Sequence, residues 1–268
     1  MKTVWITGAS SGLGLATAQA FCAHGWRVIA GARSFADEAS GAVTRLRLDV
    51  TDAESCARFA REALAASPRV DALVCGAAVL VLGACENTDA EEYARVLATN
   101  FTGAARMVTL ALPHMRAQGG GRVILFSSVN GVMGIPFQSA YTASKHALEG
   151  YAECLALEAE PLGVQVCLVE PGDHRGGSAH TRLSAKREDA ASPYHARFEA
   201  AAAVIRRDEA GGLSPERLGE KVVRNAERRR MRFRLRVASP DQHLAMWLHR
   251  LLPAAVNRRI LRAYYRCR

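Results

Sequence analysis

The chain has 268 residues, 49% of them apolar and 23% charged. That balance belongs to a globular protein with a large buried core, and it excludes a disordered chain or a collagen-like repeat. The net charge of +9 is unevenly placed: residues 1–170 hold 13 Lys and Arg against 16 Asp and Glu, whereas residues 171–268 hold 22 against 10. A near-neutral body therefore carries a basic tail that suits phosphate, lipid or an acidic partner. No apolar run approaches the roughly 20 residues that cross a bilayer, and the opening run MKTVWITGAS is too short for a signal sequence. The expectation is a cytoplasmic protein. Seven cysteines without paired spacing read as free, buried thiols, and no Cys or His pattern fits a metal site.

Short β-rich runs occur at residues 3–7, 27–30, 45–48, 72–74, 122–126 and 164–169. Ala-rich stretches with helical spacing lie between them, at 13–24, 53–66, 91–115 and 141–162. Apolar strands alternating with helices predict an α/β fold, a doubly wound parallel sheet of Rossmann-like type. After Pro171 the rhythm changes. Residues 172–177 read as loop, 179–207 as partly helical, and 215–230 as a helix capped by Ser214 with Pro215 in its first turn. RRMRFRLRV at 229–237 alternates Arg with apolar residues, which predicts an edge strand with a solvated basic face. Two further helices are expected at 242–252 and 254–265, divided by Pro253. No second core is visible. The expectation is a single domain, with 1–172 holding cofactor and catalysis and 173–268 a substrate loop and a basic helical C-terminal extension.

TGASSGLG at 7–14 leaves a strand and opens a helix, where free backbone N–H groups at the positive end of the helix dipole hold phosphate. Gly8, Gly12 and Gly14 permit the turn, and Ser10, Ser11 and Leu13 complete it. The second strand ends in RVIAGARSF, with no acid to receive a ribose hydroxyl. Arg33 stands there instead, suited to a 2′-phosphate with help from Ser11, so the cofactor expected is NADP(H). Ser128 follows the strand at 122–126, Tyr141 lies 13 residues on, and Lys145 stands one helical turn after Tyr141, on the same face. An ammonium and a cationic nicotinamide favour the phenolate of such a Tyr, and Ser128 polarises a substrate oxygen.

These residues resemble the short-chain dehydrogenases/reductases. TGASSGLG matches that family's TGxxxGxG turn, YTASK its YxxxK, and Ser128 its spacing to the Tyr. The resemblance implies that Asn100, in LATNFTG, kinks its helix and serves a proton relay through Lys145. It implies that Asp49 and Val50 contact adenine, that Gly76 and Ala77 line the adenosine ribose, and that Pro171 and Gly172 lie beside the nicotinamide. Two departures stand out. CGAA at 75–78 replaces the family's NNAG, and Gly176 occupies the place of a Thr that holds the carboxamide, with Ser178 or Thr181 as substitutes.

The tail resembles the hydroxysteroid and retinol dehydrogenase branch, which implies an apolar carbonyl or alcohol substrate. The family also implies a homodimer or homotetramer paired through the helices at 91–115 and 141–162. The alternative is a non-catalytic NADP(H)-binding scaffold or redox sensor. Nucleic acid has only charge in its favour and is not expected. His174 reads as a loop residue in preference to a residue lining the pocket. The apolar and basic residues at 240–268 are expected to pack on the core, to roof the substrate site, or to rest on a membrane surface.

Overall fold

The computed structural model describes residues 1–176 and 181–267. In chain order the elements are β1 (Thr3–Thr7), α1 (Gly12–Ala23), β2 (Arg27–Ala32), β3 (Glu38–Ser40), β4 (Val43–Arg47), α2 (Ala53–Ala66) and β5 (Ala72–Cys75). They continue with β6 (Leu80–Leu82), α3 (Ala90–Leu97), α4 (Gly103–Ala117), β7 (Gly121–Phe126), α5 (Ser139–Ala159) and β8 (Val164–Pro171). The remainder is β9 (Arg182–Ser184), α6 (His195–Ala210), α7 (Pro215–Glu227), β10 (Arg234–Val237), α8 (Pro240–Leu251) and α9 (Ala254–Tyr264).

Eight strands form one sheet in the order β10-β8-β7-β5-β1-β2-β4-β3, parallel except for β3 at its edge. The period of two along each strand divides its side chains between two cores. Trp5, Ile29, Leu73 and Val123 face α2, α4 and α5, whereas Val4, Ile6, Val28 and Val74 face α1 and α7. This is the doubly wound α/β architecture. The chain leaves β1 toward β2 on one side and returns to β5 on the other, so a crevice opens at the carboxyl ends of these strands, where such sheets bind ligands.

Several elements differ from the sequence expectation. The helix expected at 91–115 is interrupted by a π-helical segment, Ala98–Thr102. There the Asn100 carboxamide accepts from the Val79 N–H at 2.8 Å and donates to the Val79 carbonyl at 3.0 Å. The strand expected at 229–237 pairs in register with β8 only from Arg234. The Phe233 carbonyl still accepts from Leu168 N–H at 2.7 Å, but two N–H groups before it are taken by side chains. Met231 N–H donates to Gln165 Oε1, and Arg232 N–H donates to Asn225 Oδ1 at 3.0 Å.

The basic face of that strand is solvated only at Arg230 and Arg232. Arg234 is paired with Glu149, Glu153 and Glu170, and Arg236 with Glu170, whose side chain is wholly buried. Strands β6 and β9 form a small separate parallel pair that the apolar runs did not reveal. The thiols divide too: Cys56, Cys75 and Cys167 are buried, while Cys85 and Cys154 are exposed.

Candidate active site

The glycine turn closes between β1 and α1 by direct backbone contact. Gly8 has φ +71°, and a Cβ there would meet the Ala77 backbone at 2.7 Å. A Cβ on Gly14 would lie 2.1 Å from the Gly8 carbonyl, so neither position accepts a side chain. The CGAA departure is absorbed here. Thr7 Oγ1 accepts from Gly76 N–H at 3.1 Å and Ala77 N–H at 3.2 Å, so a hydroxyl on β1 braces this loop.

All of the candidate residues except Gly12 and Asn100 line one cleft of about 640 Å³. Gly12 begins α1 at φ +52°, and Asn100 lies behind the cleft wall, 1% exposed. Arg33 is exposed at the end of β2. Asp37, the first acid beyond it, accepts from Arg47 N–H and pairs with Arg58, which commits it away from a ribose. Burial opposes ionisation of Asp49, yet the Thr51 N–H and hydroxyl, with the Arg33 charge, hold its carboxyl below the usual range. The glycine turn and the exposed Arg33 guanidinium fit a nicotinamide dinucleotide.

Tyr141 and Lys145 project from α5 into the same cleft. Lys145 Nζ lies 5.3 Å from the Tyr141 ring centroid and donates to the Phe126 carbonyl at 2.6 Å. Burial pushes Lys145 down to about 8, against the attraction of Glu149. Burial likewise pushes the Tyr141 phenol up to about 12, against its hydrogen bond with Ser128. The protein groups by themselves therefore keep Tyr141 protonated at neutral pH, the state of a proton donor. A cationic nicotinamide, if bound, would lower the pKa of such a phenol and favour its phenolate.

Residues that sequence reasoning missed surround this group. Ser128 Oγ donates to Asn130 Oδ1 at 3.2 Å, and Asn130 Nδ2 donates to Gln138 Oε1 at 3.0 Å and Thr142 Oγ1 at 3.1 Å. Ser127 Oγ donates to Glu149, one turn beyond Lys145. Asn100 Nδ2 reaches Ser144 Oγ at 2.9 Å, the residue before Lys145. Ser127 and Asn130 sit close to Ser128 in sequence, but nothing in residue spacing says that they close a network.

His174, in the loop after β8, is buried and lines the cleft. Its Nδ1 donates to the Gly172 carbonyl at 2.9 Å, and burial lowers its pKa, so the ring is neutral. Thr181 lines the cleft, as one proposed substitute for the missing Thr; Ser178 lies outside the described residues.

The rest of the cleft is mixed, with Asp173, Asp208, Glu209, Asp241 and Gln242 on one part and apolar side chains on another. Met133 and Ile135 from the loop after β7, Ile205 from α6, and Leu244, Leu248, Ile260, Leu261 and Tyr265 from the C-terminal segment form its walls and roof. A phosphate turn, a Ser-Tyr-Lys group and these apolar side chains thus share one space.

The model of the short chain dehydrogenase family matches residues 2–187. The chain belongs to the short-chain dehydrogenase family. It is an oxidoreductase acting on CH–OH and C=O groups. A 3-ketodihydrosphingosine reductase from Bacteroides thetaiotaomicron is 35% identical over 271 residues, covering 100% of this chain and 99% of its own. The human 17-beta-hydroxysteroid dehydrogenase type 1 is 39% identical over 184 residues, 63% of this chain and 56% of its own. In three dimensions the chain is similar to a short-chain dehydrogenase from Streptomyces avermitilis, with a TM-score of 0.81 at 29% identity, covering 100% of this chain and 98% of that one.

Proposed function

We propose that this short-chain dehydrogenase reduces a long-chain apolar ketone with NADPH. The observation that carries this reading is the one cleft in which Ser128, Tyr141 and Lys145 share space with the glycine turn and with Ile205, Leu244, Leu248, Ile260 and Leu261 from α6, α8 and α9. Arg33 is exposed at the end of β2 and no acid stands between Val28 and Ser34, which supports NADP(H) over NAD(H). The end-to-end likeness to a 3-ketodihydrosphingosine reductase supports a ketone on a fatty chain, because it extends over the helices that form the roof.

When bound, the nicotinamide supplies hydride to the carbonyl carbon. The Ser128 hydroxyl and the Tyr141 phenol converge on the carbonyl oxygen, and Tyr141 gives up its proton as negative charge develops there. The ammonium of Lys145 stabilises the phenolate that remains. Asn100 clamps Val79 and Ser144 beside Lys145, and in this reading proton resupply to Tyr141 passes along that wall. The outer faces of α4 and α5 pair two copies, with Leu157 of α5 79% exposed as part of the contact.

The reading is tested by following NADPH and NADH consumption with 3-keto compounds of increasing chain length. We expect kcat/KM to rise with chain length and to be at least about tenfold higher with NADPH, a difference of roughly 1.4 kcal/mol. Equal use of both cofactors overturns the cofactor choice, and indifference to chain length overturns the substrate class.

A further inference from the structure

The two helices that roof the cleft are covered on one side only. Met246 is the only buried residue of α8, and Asn257 the only one of α9. Leu244, Trp247 and Leu251 form a stripe along α8, and Val256, Ile260 and Tyr264 one along α9, all at helical spacing and all exposed. These six stand among eleven large exposed hydrophobic residues in the described chain, so more than half fall within 21 consecutive positions. Such concentration distinguishes a contact surface from the scattered apolar residues of any protein exterior.

The charge of the same segment is one-sided. Residues 240–268 contain six Arg and a single acid, Asp241. Arg250, Arg258, Arg259 and Arg262 are exposed beside the apolar stripes. A second copy of the chain meeting this face about a twofold axis would set these guanidinium groups near one another, an arrangement that like charges oppose. An anionic lipid surface meets both features at once, because acyl chains receive the apolar side chains while headgroup phosphates receive the Arg. The stripe also runs into the cleft. Leu244, Ile260 and Tyr264 are exposed outside and line the cleft within, and Trp247 is of the type that settles at lipid–water boundaries.

We propose that α8 and α9 dock this face on an anionic lipid surface, so that the cleft mouth opens against the lipid. The docking stands on the surface alone; its use for delivering substrate rests on the long-chain reading above. No helix of the described residues is long and apolar enough to cross a membrane, and the proposal requires only that two helices lie on one.

The experiment uses the full-length protein with vesicles of phosphatidylcholine alone, or with about a third phosphatidylglycerol, an anionic content that sets the surface potential sought. Trp5 and Trp26 are buried and Trp247 is exposed, so a blue shift of emission on adding vesicles reports Trp247 entering lipid. We expect the blue shift and co-sedimentation with the anionic vesicles, weakened about tenfold or more on raising salt from about 0.1 to 0.5 M. The double substitution Arg258→Glu and Arg259→Glu, at positions outside the cleft lining, lowers this binding about tenfold or more. It leaves turnover of a short, water-soluble ketone unchanged. Failure to bind anionic vesicles at low salt overturns the proposal, as does equal binding by the variant. Self-association that buries Trp247 without lipid also overturns it. Binding by a protein that reduces no ketone leaves the docking intact and removes the proposed function instead.

Discussion

At the scale of single residues the cleft works through groups whose surroundings change their chemistry. Lys145, pushed down to about 8 by burial, keeps its ammonium only below that pH. The proposed ketone reduction depends on that charge, so kcat/KM is expected to be flat near neutrality and to fall as pH rises through about 8; a profile level to pH 10 contradicts this. Asp173 shifts the other way. Burial raises its carboxyl to about 6, with Asp208 and Glu209 adding repulsion. A raised acid contributes most to stability below its unfolded value near 4, and that contribution is lost as pH rises through about 6. Asp173→Asn, which can keep accepting from Gln242, is therefore expected to be more stable than wild type by about 1–3 kcal/mol at pH 7.5 and no different near pH 4. Denaturant midpoints at the two pH values decide it. Arg33→Asp should weaken NADPH binding by about 2–4 kcal/mol through loss of a charge-assisted contact plus repulsion, and NADH binding little; equal losses in fluorescence titration show that Arg33 does not read the 2′-phosphate.

Among the elements, those that alternate along the sheet were legible because each strand is a short apolar run and each helix has periodic spacing. TGASSGLG, Ser128 and YTASK were legible for a different reason: their chemistry depends on spacing within one turn or one helix face. What the sequence hid depends on contacts between distant segments. The π-helical segment exists because Asn100 bonds Val79, which lies 21 positions earlier in the chain. The Arg stripe of β10 has the period of a solvated edge, yet its partners are Glu149, Glu153 and Glu170, supplied by α5 and β8. Removing Arg234 leaves Glu149 short of a cation, and Glu170 with Arg236 alone. Arg234→Met is thus expected to destabilise the fold by about 3 kcal/mol, as breaking a buried pair does. A loss below about 0.5 kcal/mol in urea unfolding would return the stripe to the solvated reading.

For the whole molecule, the sheet's switch point places a phosphate-binding turn, and the chain beyond β8 returns to roof the cleft with α6, α8 and α9. The basic tail seen in the composition thus divides into two structures: an internal ion-pair network on β10, and an exposed face on α8 and α9. Neither division can be read from charge, because charge alone does not say which Arg meets a buried Glu. What unites the molecule is the proposal that this cleft carries a hydride transfer completed by a proton from Tyr141. The most direct test is Tyr141→Phe, measured for NADPH-dependent reduction of a long-chain ketone and, separately, for NADPH affinity. Loss of the proton donor should lower kcat by about 10²-fold or more while the NADPH Kd stays within about twofold, since the phenol serves proton transfer rather than nucleotide binding. A variant that keeps more than about a tenth of the wild-type rate would contradict the role given to Tyr141.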